Sequence, residues 1–367
     1  MQTNNKIKIA IVASSLSGGG AERVSAVLSR ILDNLGYEVH VITVLSGVDY
    51  QYSGYYFDLG SHKTNAFSRL NRLLLFKKYL KKHQFSFIID SRSRPVFLKE
   101  FFINKFLYKK QKIIYWVHNY NTETYIPNSR FLTRLIYKST TNFVTVSEAI
   151  KNKIETKYKF KNVTTIYNAI DSTFSNQLSN SINQKLPNNY ILYFGRLVNK
   201  SKNITLLIEA YNLSILAKHN VKLVILGDGI DKAKLKKQVK NLKQSENIKF
   251  YNYTSTPSLF INKANFTVLT SRYEGFPMVI LESLSLGVPV VSVDCNSGPK
   301  EIIKDKINGL LVENFNVKAL ANAFNSFIFE PDCFDVYKLN AKKSIDHLSE
   351  ENIGKVWLKL LKQIYER

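Results

Sequence analysis

The feature that most constrains this chain is an alternation of patterns that runs, stops and starts again. Short apolar runs alternate with helical patterns from the beginning: IKIAIV (7–12), AERVSAVLSRILDNLG (21–36) and EVHVITVL (38–45). Further strand candidates follow at FSFIID (85–90), KIIYWVHN (112–119), FVTVS (143–147) and VTTIYN (163–168). Near-continuous apolar runs separated by helices are the pattern of parallel sheets covered on both faces. Residues 172–189, STFSNQLSNSINQKLPNN, carry few apolar side chains and no sustained period, and read as a linker. The alternation then restarts: YILYFGRL (190–197), a helix over 204–219, VKLVILGDG (221–229), a lysine-rich helix to about 243, IKFYNY (248–253), FTVLTS (266–271) and PVVSVD (289–294). At roughly 100–200 residues per domain, length fits two domains, with one large barrel open on length alone. Two Rossmann-like, doubly wound α/β domains facing a cleft are the economical reading. The last helix, IGKVWLKLLKQIYER (353–367), is apolar on one side and basic on the other, and must dock on one of them.

Composition excludes some classes. A hydrophobic share of 45% with 22% charged residues is that of a folded chain. No stretch approaches the ~18 apolar residues of a membrane span, and the start MQTNNKIKIAIVASSLSGGG reads as a first buried strand with no secretory signal. Cys295 and Cys333 lack metal-site spacing and read as free thiols. The balance of 52 Lys+Arg against 28 Asp+Glu, a net +24, points to a polyanion or to a lysine-rich solvated surface. The polyanion could be nucleic acid, an anionic membrane face or a phosphate-bearing substrate.

In open parallel sheets ligands bind beyond the carboxyl ends of the strands, so those loops hold the candidates. After the first strand, Gly18, Gly19 and Gly20 open a helix whose free N–H groups favour an anion. Arg23 stands where the third glycine of GxGxxG would be, so the loop reads either as a tight turn or as a phosphate or sugar contact. Arg196 and Lys202 follow YILYF and suit a diphosphate, or are two surface cations. Gly227 and Gly229 in GDG make a strand-to-helix turn or let a nucleotide approach the backbone. His118, at the end of an apolar run, is structural or catalytic.

The sharpest stretch is SRYEGFPMVILESLSLGVPVVS (271–292). Pro277 fits a first helical turn and Gly287 a stop, which places Glu274 in the preceding loop and Glu282 inside the helix. Between them the N–H groups of Met278, Val279 and Ile280 can take an anion. A carboxylate beside a phosphate site is repulsive unless it binds hydroxyls, which sugars offer. A nucleotide sugar satisfies the set, with Glu274 on the sugar, the helix start, Arg196 and Lys202 on the diphosphate, and Glu282 on the ribose.

Glu274 and Glu282 in E-x7-E, followed by SLSLGVPVV, resemble the motif of retaining GT-B glycosyltransferases of family 4. The GGGAERV loop, VHN, VSEAI, YNAID, FGRL with Lys202, GDG, CNSGPKEII and NGLLV fall in family order over nearly the whole chain. The set is most similar to bacterial members that build lipopolysaccharide, O-antigen or capsule sugars. The resemblance implies an N-terminal acceptor-binding domain over 1–172 and a linker over 173–189. It implies a nucleotide-sugar domain over 190–345 and a C-terminal helix over 346–367 returning to the first domain. It implies that Glu274, His118, Arg196 and Lys202 act in catalysis, with His118 beside the anomeric centre. Gly19, Gly20, Gly227, Gly229, Phe250, Phe276 and Pro277 would join Met278, Val279, Ile280 and Glu282 at the donor. One departure is Phe250-Tyr251-Asn252, where many relatives have F-x-G.

The resemblance further implies retention of configuration with neither metal nor cofactor, and the chain offers no DxD between strand and loop to hold a divalent ion. The expected partners are a nucleotide sugar, UDP-linked by preference, a lipid-linked glycan acceptor and an anionic membrane surface, with no nucleic acid. The basic stretch RLNRLLLFKKYLKKH (69–83) supplies membrane candidates Arg69, Arg72, Lys77, Lys78, Lys81 and Lys82, although Lys77 and Lys81 intrude on its apolar face. The expected location is the inner face of the cytoplasmic membrane. A nucleotide-sugar epimerase on the same scaffold and a basic nucleic-acid-binding protein are the rival readings. The second explains the charge but not the two glutamates.

Overall fold

The structure, a computed structural model, describes residues 6–62, 68–109, 111–174 and 185–366. The chain divides into two compact units, Met1–Ala169 with Glu350–Arg367, and Ile170–Ser349. Among the described residues the first unit has a seven-stranded sheet and the second a six-stranded one. The first contains β1 (Lys8–Ala13), β2 (Glu38–Thr43), β3 (Tyr55–Asp58), β4 (Phe87–Asp90), β5 (Lys112–Val117), β6 (Asn142–Thr145) and β7 (Val163–Thr165). The second contains β8 (Tyr190–Phe194), β9 (Lys222–Leu226), β10 (Ile248–Tyr251), β11 (Thr267–Leu269), β12 (Val290–Asp294) and β13 (Gly309–Glu313). Every pairing is parallel.

The orders are β3-β2-β1-β4-β5-β6-β7 and β10-β9-β8-β11-β12-β13. In each, the chain winds one way from a central strand and then returns to that strand's other side. The reversal falls between β1 and β4 in the first unit and between β8 and β11 in the second. These switch points are where an open α/β sheet leaves a crevice at the strand ends. The central strands are buried along nearly their whole length, as the uninterrupted apolar runs require.

Two strands escape the sequence pattern, and both lie at a sheet edge. Tyr55–Asp58 and Gly309–Glu313 are only partly buried, so neither carries a sustained apolar run. The helix read over 204–219 is two pieces, Ile204–Leu213 and a 3-10 turn Leu216–His219. Ser214 Oγ donates to the Tyr211 carbonyl at 2.7 Å, and Asn325 Oδ1 accepts the Ile215 amide at 2.9 Å, so side chains end the ladder there. The helix at the two glutamates begins at Met278, with Pro277 as the extended residue before it.

The return to the first unit falls after Ser349, later than the 345 read from sequence, and the first exit falls after Ala169. The Ile170 amide donates to the Leu348 carbonyl at 2.9 Å, which keeps both crossing segments with the second unit up to that point. Most of the linker read over 173–189 lies outside the described residues. Helix Glu350–Tyr365 docks in the first unit through Ile353, Trp357, Leu361 and Ile364. Trp357 packs edge-on to Trp116 at 5.2 Å, and Arg30 pairs with Glu350 at 2.7 Å. Lys112 Nζ donates to the Ile364 and Tyr365 carbonyls at 2.8 Å, a cation where a helix end leaves its carbonyls unpaired.

Candidate active site

In the second unit the loops after β8 and β11 meet at the switch point. A short helical turn, Asn199–Lys202, ends at Asn203 in the left-handed region, φ 50°, which aims Lys202 back across the strand ends. The Arg272 amide donates to the Ser201 carbonyl at 2.8 Å, and Thr270 Oγ1 to the Lys202 carbonyl at 3.0 Å, so the two loops are stitched together. Lys202 Nζ then sits 2.6 Å from Glu274 Oε1. Ser271 Oγ donates to the same oxygen at 2.6 Å. Both bonds fall on Oε1, so Oε2 is the oxygen left to accept from a ligand.

The turn carrying Glu274 is held from behind by Cys295–Pro299. Asn296 accepts the Glu274 amide at 3.1 Å, and Ser297 Oγ donates to the Gly275 carbonyl at 2.6 Å. Gly298 lies at φ 99° with Pro277 and Gly275 so close that any side chain would collide with them. The helix Met278–Ser285 therefore starts at a fixed place, and its first turn holds no acidic residue. The Ile280 amide is already used on the Pro277 carbonyl at 3.1 Å, which leaves the Met278 and Val279 amides for an anion. Glu282, inside this helix, is buried, as are Ile280, Leu281, Ser283 and Leu284 on the same helix. The side chains of Phe276, Met278 and Ile280 are buried.

Arg196 is exposed, while its carbonyl accepts from Tyr193 Oη at 3.2 Å. Burial raises the Tyr193 phenol far above its usual range, the Glu274 carboxylate adds to this and Arg196 opposes it, so both charges flank one hydroxyl. Gly227 and Gly229 serve packing. A side chain on either would strike the backbone of Gly195 or Leu197, and the Leu197 amide donates to the Asp228 carbonyl at 2.8 Å. Phe250 joins the apolar core, with the Lys236 ammonium 5.9 Å from its ring centre.

In the first unit the loop after β1 leads through Gly18, at φ 75°, to Gly19, the extended residue before helix Gly20–Asn34. The Glu22 side chain folds back against Gly19, so a carboxylate already faces this helix start. Across the switch point, Ser91 follows β4 and His118 follows β5. Ser91 Oγ lies 2.9 Å from His118 Nε2 and 2.8 Å from Ser25 Oγ on the first helix. Trp116 packs on the imidazole at 4.4 Å. Burial, with a smaller push from the Arg94 guanidinium, lowers His118 to about 3, so the ring is neutral.

The corner carrying Ser91 is locked by buried charges. Arg92 pairs with Asp90 at 2.6 Å and Glu100 at 3.1 Å, and Arg94 Nη1 donates to the Asp90 and Arg92 carbonyls at 3.0 and 2.7 Å. Burial alone would raise the Asp90 carboxyl, but the Arg92 and Arg94 guanidiniums outweigh it and hold it below the usual carboxylate range.

Two family descriptions together match residues 18–344 without a gap. "Glycosyltransferase Family 4" matches residues 18–174, and "Glycosyl transferases group 1" matches 174–344. The chain is a family 4 glycosyltransferase. A Campylobacter jejuni N-acetylgalactosamine-N,N'-diacetylbacillosaminyl-diphospho-undecaprenol 4-alpha-N-acetylgalactosaminyltransferase is 29% identical, covering 96% of this chain and 99% of that one. The amylovoran biosynthesis glycosyltransferase AmsD of Erwinia amylovora is 28% identical over 81% of this chain and 84% of its own. Anabaena HepE, solved with UDP and glucose, superposes with a TM-score of 0.78 at 18% identity, covering 97% of this chain and 100% of that one, and shares the GT-B fold.

One trio of metal-ligand types occurs among the described residues of this glycosyltransferase: Glu38, His40 and His83. It lies at the opposite, N-terminal end of β2. His40 Nδ1 is 2.7 Å from Tyr79 Oη and its Nε2 is 3.0 Å from Glu38, which also pairs with Lys8 at 3.1 Å. Glu38 and His40 are thus hydrogen-bonded within the fold, and His83 packs on the His40 and Tyr79 rings at 4.6 and 4.3 Å.

The residues that sequence reasoning missed are the supports: Ser271, Thr270 and Asn296 around Glu274, and Ser25 and Ser91 around His118. Ser271 and Ser91 both stand just beyond a strand end, the signal that could have found them. Ser25 gives none, since it is one small residue inside an amphipathic helix.

Proposed function

We propose that this glycosyltransferase moves a hexose or N-acetylhexosamine from a UDP-sugar to a lipid-linked or polysaccharide acceptor of a bacterial surface glycan, with retention and without a metal ion. The observation that carries the reading is the Lys202–Glu274 pair, 2.6 Å apart at the second unit's switch point beside a helix start with no acid in its first turn. A diphosphate draws Lys202 and the Met278 and Val279 amides, with Arg196 adding charge from the rim. Glu274 Oε2 accepts from the donor sugar's hydroxyls, and Glu282 serves the ribose. The sugar C1–O bond breaks with its electron pair going to the diphosphate. A diphosphate oxygen takes the proton of the incoming hydroxyl, and the new C–O bond forms on the face just vacated. Lys202 and Arg196 stabilise the growing charge that a divalent ion meets elsewhere. The relatives support the substrate classes by their names: one acts on an undecaprenol diphosphate, and HepE is held with UDP.

A membrane-bound acceptor calls for a surface that reaches it. No helix among the described residues is long and apolar enough to cross a membrane. The helix Ser68–His83 buries Phe76 and Leu80 and exposes Lys77, Lys78, Lys81 and Lys82, so Lys77 and Lys81 do not interrupt its buried face. Leu70 and Leu74 are exposed on the same helix, and Arg72 Nη1 is drawn to the Val44 carbonyl at 3.4 Å. The side chain of Arg69 lies outside the described residues. A second exposed set, Leu98, Phe102, Phe106 and Phe131, is bordered by Lys99 and Lys105. Each Lys or Arg near an anionic leaflet contributes about 1 kcal/mol, so the two sets suffice for peripheral docking at the inner face of the cytoplasmic membrane.

One series of measurements tests the reading. Thermal unfolding is followed with UDP, GDP, ADP and their sugars, and transfer from the most stabilising donor is assayed to a lipid-linked acceptor in anionic or zwitterionic vesicles, with and without chelator. Stabilisation by UDP-sugars and chelator-insensitive transfer favouring anionic vesicles are expected. Stabilisation by no nucleotide sugar, or release of an epimer with no acceptor, contradicts it.

A further inference from the structure

Three side chains of the first unit form a connected line: His118 Nε2, Ser91 Oγ and Ser25 Oγ, at 2.9 and 2.8 Å. Heavy-atom positions leave each contact ambiguous in direction, but the far end removes the ambiguity. Ser25 Oγ lies 2.9 Å from the Ala21 carbonyl, one turn back on its own helix. A carbonyl only accepts, so the single Ser25 hydroxyl proton is spent there. Ser25 must then accept from Ser91, whose own proton is thereby used. Ser91 in turn can only accept from the imidazole, which puts the ring proton on Nε2. Nδ1 is left with a bare lone pair, and this atom is closed off from solvent with no hydrogen-bond partner among the described residues.

An acceptor without a donor is costly to keep where water cannot reach, and a catalytic or binding role is one of the reasons a native fold keeps such an atom. We propose that Ser25 and Ser91 are positioning residues that fix His118 as the Nε2–H tautomer, so that Nδ1 presents a lone pair to a substrate hydroxyl; this rests on the glycosyltransferase reading above. The elements that carry the line suit the task. Ser25 is on the helix after β1, Ser91 on the corner after β4 that Asp90, Arg92 and Glu100 lock, and His118 beyond β5, so the relay spans the switch point. A ring left to choose its tautomer would offer a proton part of the time and repel a hydroxyl approaching as donor. The relay removes that choice without placing a charge in the site.

The test reads the tautomer directly. Long-range proton–nitrogen correlation spectra of the full chain, labelled with 15N-histidine and assigned with His118→Gln, report which ring nitrogen carries the proton. At pH 7 the expected result is a protonated Nε2 and a bare Nδ1. Ser25→Ala does not touch the imidazole, yet it frees the Ser91 proton to turn towards Nε2, so a mixed or Nδ1–H tautomer is expected. Transfer turnover in that variant falls about tenfold, the scale of one hydrogen bond, with donor KM unchanged, and Ser25→Thr restores both signals. A wild-type spectrum with the proton on Nδ1, or an unaltered tautomer in Ser25→Ala, overturns the relay. An altered tautomer with undiminished turnover overturns its use in transfer. The expected spectra in a chain that turns over no nucleotide sugar support the relay and count against the functional reading alone.

Discussion

The two units are one architecture built twice, and their switch points differ in kind. In the second unit the crevice is lined by charge: an ammonium held on a carboxylate, and a helix start free of acid. In the first it is lined by two hydroxyls and an imidazole kept uncharged, and its helix start is already faced by the Glu22 carboxylate. Fold alone does not explain this, because both sheets end in parallel strands and glycine-bearing loops. Under the proposed function this difference goes with a diphosphate at the second unit and hydroxyl recognition at the first. It also shows why a glycine loop before a helix is a weak sign by itself: GGGAERV carries its own anion.

The comparison breaks most readily at Lys202. Lys202→Met removes the ammonium while keeping the stem, and turnover should fall about 10²–10³-fold, with Glu274→Gln at least as damaging. Steady-state rates within tenfold of the parent in both variants would move the chemistry out of the second unit.

A large effect on stability is expected from the first unit's locked corner. Arg92→Met leaves Glu100 buried without its guanidinium and Asp90 with Arg94 alone at 3.6 Å, which costs about 3–5 kcal/mol in denaturant unfolding. A loss under about 1 kcal/mol would mean that the corner relaxes and does not hold Ser91 in place.

A smaller effect concerns pH. His118 is held near 3 in the folded chain against an ordinary 6.5. Between those values only the unfolded chain takes the proton, so this contribution to stability is whole above about 6.5 and lost as pH falls towards 3. In His118→Gln the acid-side decline in unfolding temperature should be shallower. An identical decline in both proteins would show that the ring titrates normally, and the two crevices would then differ less than described.

Much of this was legible in the chain. The central strands announced themselves because a strand buried on both faces needs an unbroken apolar run, and Glu274 stood out as a carboxylate before a core helix. The edge strands Tyr55–Asp58 and Gly309–Glu313 did not, since half-buried edges carry mixed residues. Gly227, Gly229 and Phe250 were legible as special but not as packing residues, because the backbone of Gly195 and Leu197 that crowds the glycines lies about thirty positions away in sequence. Ser25, Ser91 and Ser271 were silent for a related reason. A serine's role is decided by which oxygen or nitrogen the fold brings to it.

In the proposed function the diphosphate belongs to the second unit, and calorimetric titration of UDP into matched variants tests that most directly. Lys202→Met should weaken UDP binding by at least tenfold, about 1.4 kcal/mol, while Ser91→Ala and His118→Gln leave it within about twofold of the parent. UDP affinity that survives Lys202→Met but collapses in the His118 and Ser91 variants would contradict the assignment.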